Sequence, residues 1–529
     1  MATTDRLVKD MIRERRFHFR LFIEGILVGI FAGCVIALFR YLLGVSEILR
    51  PMIYSIVEDS FNNGDYYVPA IYFSAFVIIA WLLMKIVDNE PMCTGSGIPQ
   101  IKGILGGRMN MRWLSVLVSK LIGGVLAIGA GLSLGREGPS VQLGACVGQG
   151  VSRGFIRTRY EERILMTAGS GAGLAAAFNA PLAGVIFGLE ELNKSFSPVL
   201  LMASVTAAVT ATTVTQVIFG AGPVFHIGEL EVFPLNMFGT LILLGLFIGV
   251  LGRSFNPGLL LAMNYYDRLK IKGMLRPLLP LAMAAALGFI LPEILGGGNR
   301  LVDALSRHWY PLYFLVILFA GKFLFTLVCF GSGVPGGIFL PMLVLGAVSG
   351  AVFSSLLVNA GFLPEIYAGD LIVFGMAAFF AAVVKSPITG SVLIMEMTGS
   401  FHHLLALICV SMTAYLVADL TGGKPVYEEL LNRALRLKEQ AQGIGAGSLG
   451  RRIALELVVA GGSMADKALI RDIKWPEQTV VVDIKRGLRR INPMEEARLY
   501  PGDFLYLLTN DTDISHLKDM IEKEATPRR

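Results

Sequence analysis

The sequence predicts an all-α, multi-pass membrane protein built on an internal repeat and followed by a small α+β module. Three observations lead there. Charge is scarce and confined, motifs recur at offsets of about 200 residues, and the composition turns soluble beyond residue 450.

Of 529 residues, 54% are hydrophobic and 16% charged, against about 25% charged in an average soluble domain. The depletion is local. Residues 198–228 contain no Asp, Glu, Lys or Arg, and residues 21–43, 68–84, 237–251 and 310–330 are nearly as apolar. Helices of this length cross a hydrocarbon layer roughly 30 Å thick. In lipid every backbone polar group needs an internal partner, so repeated apolar segments predict a helical bundle in the bilayer. The N-terminal stretch is basic (Arg6, Lys9, Arg13, Arg15, Arg16, Arg20) and precedes an apolar run too long for a signal-peptide core. The positive-inside rule keeps that end in the cytoplasm. The formal charge of +6 comes from such edges, and without a basic-aromatic patch it does not predict nucleic-acid binding. Cys34, Cys93, Cys146, Cys329 and Cys409 are scattered with no CxxC, which predicts neither a disulfide framework nor a metal site. His402 and His403 sit at a loop-to-helix boundary and carry no predicted role.

Residues 138–145 (GPSVQLGA) match residues 340–347 (LPMLVLGA), an offset of 341 − 139 = 202 between their prolines. Residues 176–190, with Pro181, Gly184 and Glu190, match residues 380–396, with Pro387, Gly390 and Glu396, an offset of 387 − 181 = 206. Gly-Ser-Gly-aliphatic-Pro occurs at residues 95–99 and again at 331–335, which reads as a third match. Ordered matches of nearly equal offset predict a duplication. Transporters built this way bind substrate where broken helices of the two halves meet. The order of the motifs leaves open whether the halves run parallel or inverted.

The membrane part is expected to occupy residues 1–440, ending in an amphipathic helix over 424–439. A Gly-rich linker over 441–450 and a soluble module over 451–529 follow. In that module, β-rich runs at 453–459, 479–485 and 504–509 precede a helical pattern at 515–523.

Gly-rich segments precede helix-starting prolines at Gly95-Ser96-Gly97-Ile98-Pro99, Gly135-Arg136-Glu137-Gly138-Pro139 and Gly336-Gly337-Ile338-Phe339-Leu340-Pro341. Glycine bends the backbone and exposes N–H groups, and the helix behind adds a partial positive end. Such a site binds an anion without a fixed cation, as a conduction path requires.

These three segments, with Asn179-Ala-Pro-Leu-Ala-Gly184 and Gly422-Gly-Lys-Pro-Val-Tyr427, resemble the signature motifs of CLC chloride channels and transporters, over residues 15 to 437. The resemblance implies an inverted repeat and a homodimer with one anion pathway per subunit. It implies that Ser96, Tyr427 and the backbone amides of Ile338 and Phe339 coordinate chloride. Glu137 matches the gating glutamate and external proton site. Glu191 matches the internal proton site of coupled members, which favours an antiporter exchanging chloride for protons over a passive channel of the same fold. Lys120 matches a family lysine. Ser96 and Pro139 are of the chloride type. Gln100-Ile-Lys102 departs from many relatives, with no consequence read from it. The implied setting is the plasma (inner) membrane, with both the N-terminus and the C-terminal module cytoplasmic. No cofactor is expected beyond chloride and protons as substrates. No nucleophile–base pair or metal cluster suggests an enzyme.

Leu499-Tyr-Pro-Gly-Asp-Phe-Leu505, with residues 482–486 and 491–493, resembles the C-terminal ligand-binding half of RCK (TrkA-type) modules. That resemblance makes cyclic di-AMP a candidate regulator, with Ile470, Arg471, Ile473, Lys485, Arg486 and Pro493 as its contacts. It also raises a potassium-transport subunit as a third reading, against which stands the lack of a Thr-Val-Gly-Tyr-Gly filter.

Overall fold

A computed structural model of the chain describes residues 2–521 apart from 226, 229, 270, 272, 442–451, 477–478, 487–488, 495, 511–516 and 518–519. The expected linker, except for its first residue, and most of the expected helix at 515–523 lie outside the described residues. Eight helices form a first set: α1 Ala2–Asn62, α2 Tyr67–Asn89, α3 Ile98–Leu105, α4 Trp113–Gly129, α5 Glu137–Gly154, α6 Arg159–Phe178, α7 Pro181–Phe187 and α8 Pro198–Phe219. Eight more repeat them: α9 Phe238–Arg268, α10 Leu275–Ile290, α11 Asn299–Arg307, α12 Leu312–Gly331, α13 Phe339–Asn359, α14 Ala368–Val384, α15 Pro387–Thr398 and α16 Leu404–Leu420. Helix α17, Val426–Ala441, follows. Among the described residues, eight helical segments are long and apolar enough to cross a bilayer, and the chain is a multi-pass membrane protein.

The two sets pack alike. Helix α5 lies on α6 as α13 lies on α14, and α1 on α8 as α9 on α16. At the first contact a Cβ on Gly144 would strike the Gly169 carbonyl, and one on Gly169 would strike the Gly144 carbonyl. Gly346 and Gly375 stand in the same relation in the second set, at the offsets of 202 and 206 read from the sequence. Glycine is required at these places because helix backbones touch.

The relation between halves is two-fold. Gly135 N–H donates to Gly337 O at 2.7 Å and Gly337 N–H returns a bond to Gly135 O at 2.8 Å, in antiparallel sense. The carboxylate of Glu190 accepts from the first amides of α15 (Ile388 N 3.3 Å, Thr389 N 2.7 Å). That of Glu396 accepts from the first amides of α7 (Leu182 N 3.1 Å, Ala183 N 2.7 Å). Reciprocal contacts between antiparallel segments are what an inverted repeat produces.

Two sequence expectations are corrected. Residues 331–335 are not the mate of 95–99. Lys120 donates to the carbonyls of Cys93 (2.9 Å) and Gly95 (2.5 Å), and Lys322 donates to those of Ile294 (2.9 Å) and Gly296 (2.7 Å). The repeat of Gly95-Ser96-Gly97 is therefore Gly296-Gly297-Gly298, while Gly331 ends α12 as Gly129 ends α4. The apolar run at 172–189, which by its length and composition reads as one helix closed by Glu190 and Glu191, is also not one helix. It breaks where Asn179 takes φ +57° as the C-cap of α6 and Pro181 starts α7.

The contacts divide the chain into Met1–Asn432 and Arg433–Arg529, so the division falls inside α17, before residue 440. The C-terminal unit carries β1 Arg452–Val458, β2 Val480–Arg486, β3 Arg489–Ile491 and β4 Phe504–Asn510, an antiparallel sheet in the order β1-β4-β2-β3. The short β3 carries no alternation of its own and is absent from the sequence reading. Leu457, Ile484, Leu499, Leu505, Leu507 and Ile521 form this unit's core.

Candidate functional site

The three Gly-rich segments each open a helix (α3, α5 and α13), and they converge. Gly97, at φ +89°, caps the start of α3 and packs on Gln142, whose amide donates to Met92 O at 2.8 Å. Lys120 fastens the same loop from below through Cys93 O and Gly95 O. Ser96 is thereby held with its hydroxyl against Gly138 of α5, and Gly337 comes within a Cβ contact of the Gly138 amide. Ile338 is the N-cap of α13 and Phe339 its first residue, both fully buried. Their N–H groups belong to the turn that has no intrahelical acceptors. The Phe339 ring rests on Phe380 (centroids 4.7 Å) and Phe178 (5.8 Å), fixing that helix start.

Three polar atoms stand out. The Ser96 Oγ, the Tyr427 Oη and the Glu137 Oε1 are buried, and none has a protein hydrogen-bond partner among the described residues. Buried hydroxyls are normally bonded, so two donors left unpaired beside open helix N-termini fit an anion as their acceptor. Glu137 is 0% exposed, and its Oε2 accepts the Leu340 N–H at 3.3 Å. The carboxylate of α5 therefore reaches the N-terminus of α13, the place an anion would take. Among the described residues no ion pair joins Glu137 to the neighbouring Arg136.

Glu191 is buried and accepts from Lys102 Nζ at 2.6 Å and from Ser386 Oγ at 2.8 Å. Glu190, its neighbour, is half-buried and caps α15. Tyr427 is fully buried and lies within electrostatic reach of both Glu191 and Glu137. Sequence reasoning missed Lys102, Ser386, Lys322 and the paired caps of Glu190 and Glu396. The offset of 202 applied to Lys120 gives Lys322 directly, whereas nothing in the sequence places Lys102 beside Glu191.

Residues 75–419 match the family profile described as "Voltage gated chloride channel". The chain belongs to the CLC family. Curated CLC relatives include the H(+)/Cl(−) exchange transporter ClcA of Vibrio cholerae, 37% identical over 450 residues that cover 82% of this chain and 94% of the relative. The ClcA of Yersinia pestis is 34% identical over 451 residues, 83% of this chain and 92% of that one. A solved "slow cyanobacterial Cl-/H+ antiporter" superposes with TM-score 0.74 at 31% identity, over 79% of this chain and 98% of that structure. A eukaryotic CLC transporter shares the fold at 24% identity and TM-score 0.67, over 79% of this chain and 74% of that structure.

The CLC profile stops short of the C-terminal unit. There the Tyr500–Asp503 turn is built around Asp503, which is buried and accepts the Tyr500 N–H at 2.8 Å. Arg486 grips Asp503 through two nitrogens (2.7 and 2.8 Å) and lies over the Tyr500 ring. Those contacts raise the Arg486 pKa above its ordinary value. Ile470 is buried in the unit's core, Arg471 faces Asp472 at 3.6 Å, and Ile473 packs against the core edge. Lys485 is exposed and Pro493 is half-buried.

Proposed function

We propose that this chain is a secondary antiporter exchanging chloride for protons, with Glu137 as gate and external proton site and Glu191 as internal proton site. One observation carries it. The buried Glu137 carboxylate occupies the start of a helix whose amides suit an anion, and the buried hydroxyls of Ser96 and Tyr427 have no hydrogen-bond partner among the described residues. Chloride and the Glu137 carboxylate compete for the same amides. A protonated Glu137 has no claim on them and swings aside, so anion passage and proton binding exclude one another at that point. Ser96, Tyr427 and the amides of Ile338 and Phe339 hold the chloride, without a cation that would trap it. The names of the ClcA relatives support the same reading.

The protein acts as a homodimer in the plasma (inner) membrane, with its N-terminus and C-terminal module cytoplasmic. The C-terminal module is of the RCK type and takes cyclic di-AMP. Ile470, Arg471, Ile473, Lys485 and Pro493 line that contact, with Arg486 set by Asp503 at its edge. A passive chloride channel is the alternative. Reversal potentials in planar bilayers separate the two. At symmetric chloride, an imposed pH gradient shifts the reversal potential of an exchanger away from zero and leaves that of a channel at zero.

A further inference from the structure

Lys102 sits on α3, six residues beyond Ser96, and its side chain is 7% exposed. Two carboxylates lie within its reach. Glu191 Oε1 is at 2.6 Å and its side chain is 3% exposed; Glu428 Oε1 is at 3.9 Å and is 37% exposed. Glu428 follows Tyr427 in the first turn of α17 and also pairs with Lys194. Helices α3 and α17 touch beside this trio, where a Cβ on Gly103 would lie 3.0 Å from Leu431 Cδ1. The charged and titratable groups facing Glu191 are thus Lys102, Lys194 and Tyr427, with Ser386 as a neutral donor.

We propose that Lys102 is a positioning residue that passes between these two carboxylates and so ties proton loading at Glu191 to the helix bearing Tyr427. The proposal rests on the reading of Glu191 as the internal proton site. When a proton from the inner water forms an O–H bond on Glu191, the acid loses its charge and the Lys102 ammonium, which keeps its three protons, loses its counter-ion. An unpaired buried cation is costly. The nearest remaining carboxylate is Glu428, and moving to it requires closing only the difference between 3.9 and 2.6 Å. Lysine suits this, being a compact charge on a flexible four-carbon stem. The move draws the first turn of α17 toward α3, and that turn holds Tyr427. Deprotonation of Glu191 reverses it. Proton occupancy and the inner anion contact are then two ends of one element with two arrangements.

The test uses the full-length protein in liposomes, with proton and chloride fluxes recorded together at several inner pH values for Lys102→Met, Lys102→Arg, Glu428→Gln and Glu191→Gln. Lys102→Met and Glu428→Gln are expected to lower the proton-to-chloride flux ratio. They should also move the inner pH of half-maximal exchange by about one unit, a tenfold change in proton concentration. Lys102→Arg keeps the ratio. The Glu428 variant changes a half-exposed group that touches neither chloride nor Glu191, so it carries the test should Lys102→Met fail to fold. An unaltered ratio and pH profile in Glu428→Gln overturns the switch, even if Lys102→Met is impaired, for Lys102 would then be only a counter-ion. Proton flux surviving in Glu191→Gln overturns the internal proton site itself, which separates that failure from a failure of the switch.

Discussion

Glu137 and Glu191 share deep burial but not surroundings, and the difference decides what each substitution does. Glu137 has no ion-pair partner among the described residues, and its carboxylate accepts from the helix end that attracts chloride. Glu137→Gln mimics the protonated gate, and liposome assays should record chloride flux without proton movement. Glu191 is bound by Lys102 and Ser386 away from the open amides. Glu191→Gln should therefore also stop protons while chloride conduction persists; loss of chloride flux in well-folded protein would make Glu191 structural. Ser96 and Tyr427 offer one hydroxyl donor each, and a hydrogen bond to a charged partner contributes about 1.5–3 kcal/mol. Calorimetry on Tyr427→Ala and Ser96→Ala should show chloride affinity lowered by that amount, and unchanged affinity in both would leave the backbone amides as the whole site.

At the scale of helices, the paired caps and the glycine contacts make the duplication mechanical as well as historical. A glutamate at the end of α7 or α15 caps the start of the equivalent helix in the other half, at Glu190 and Glu396. Carboxylates at helix N-termini contribute about 0.5–2 kcal/mol. Glu396→Gln should lower the thermal unfolding midpoint in detergent while chloride binding is retained, and an unmoved midpoint would show the cap to be dispensable. Much of this architecture was legible beforehand. The offsets of 202 and 206 recover the Gly144–Gly346 and Glu190–Glu396 correspondences, because close helix contacts and caps tolerate few residue types. The Gly-Ser-Gly-Val-Pro match at 331–335 misled, since five small residues arise independently at a helix end, where glycine is favoured anyway. Lys102 was not legible as a contact. Its partner is 89 residues away in sequence, and no periodicity links a residue on α3 to one beyond α7. The Gly-rich helix starts were readable for the opposite reason, as local runs of glycine and proline shape a helix start by themselves.

For the whole molecule, the division between the membrane part and the C-terminal unit predicts separable roles. A ligand on the C-terminal unit alters transport only if it binds one transport conformation better than another. Deleting residues 451–529 should leave exchange intact and remove sensitivity to cyclic di-AMP, which titration of the full-length protein measures directly. No binding at tens of micromolar would exclude that ligand. The coupling itself is tested most directly by chloride-driven proton pumping. Purified protein is reconstituted in liposomes with a chloride gradient and no pH gradient, and external pH is followed. The two-carboxylate pathway predicts that chloride running down its gradient drives protons the opposite way, against the pH difference it creates, and that Glu137→Gln abolishes this while chloride still flows. Chloride flux from the wild-type protein with no proton movement would contradict it.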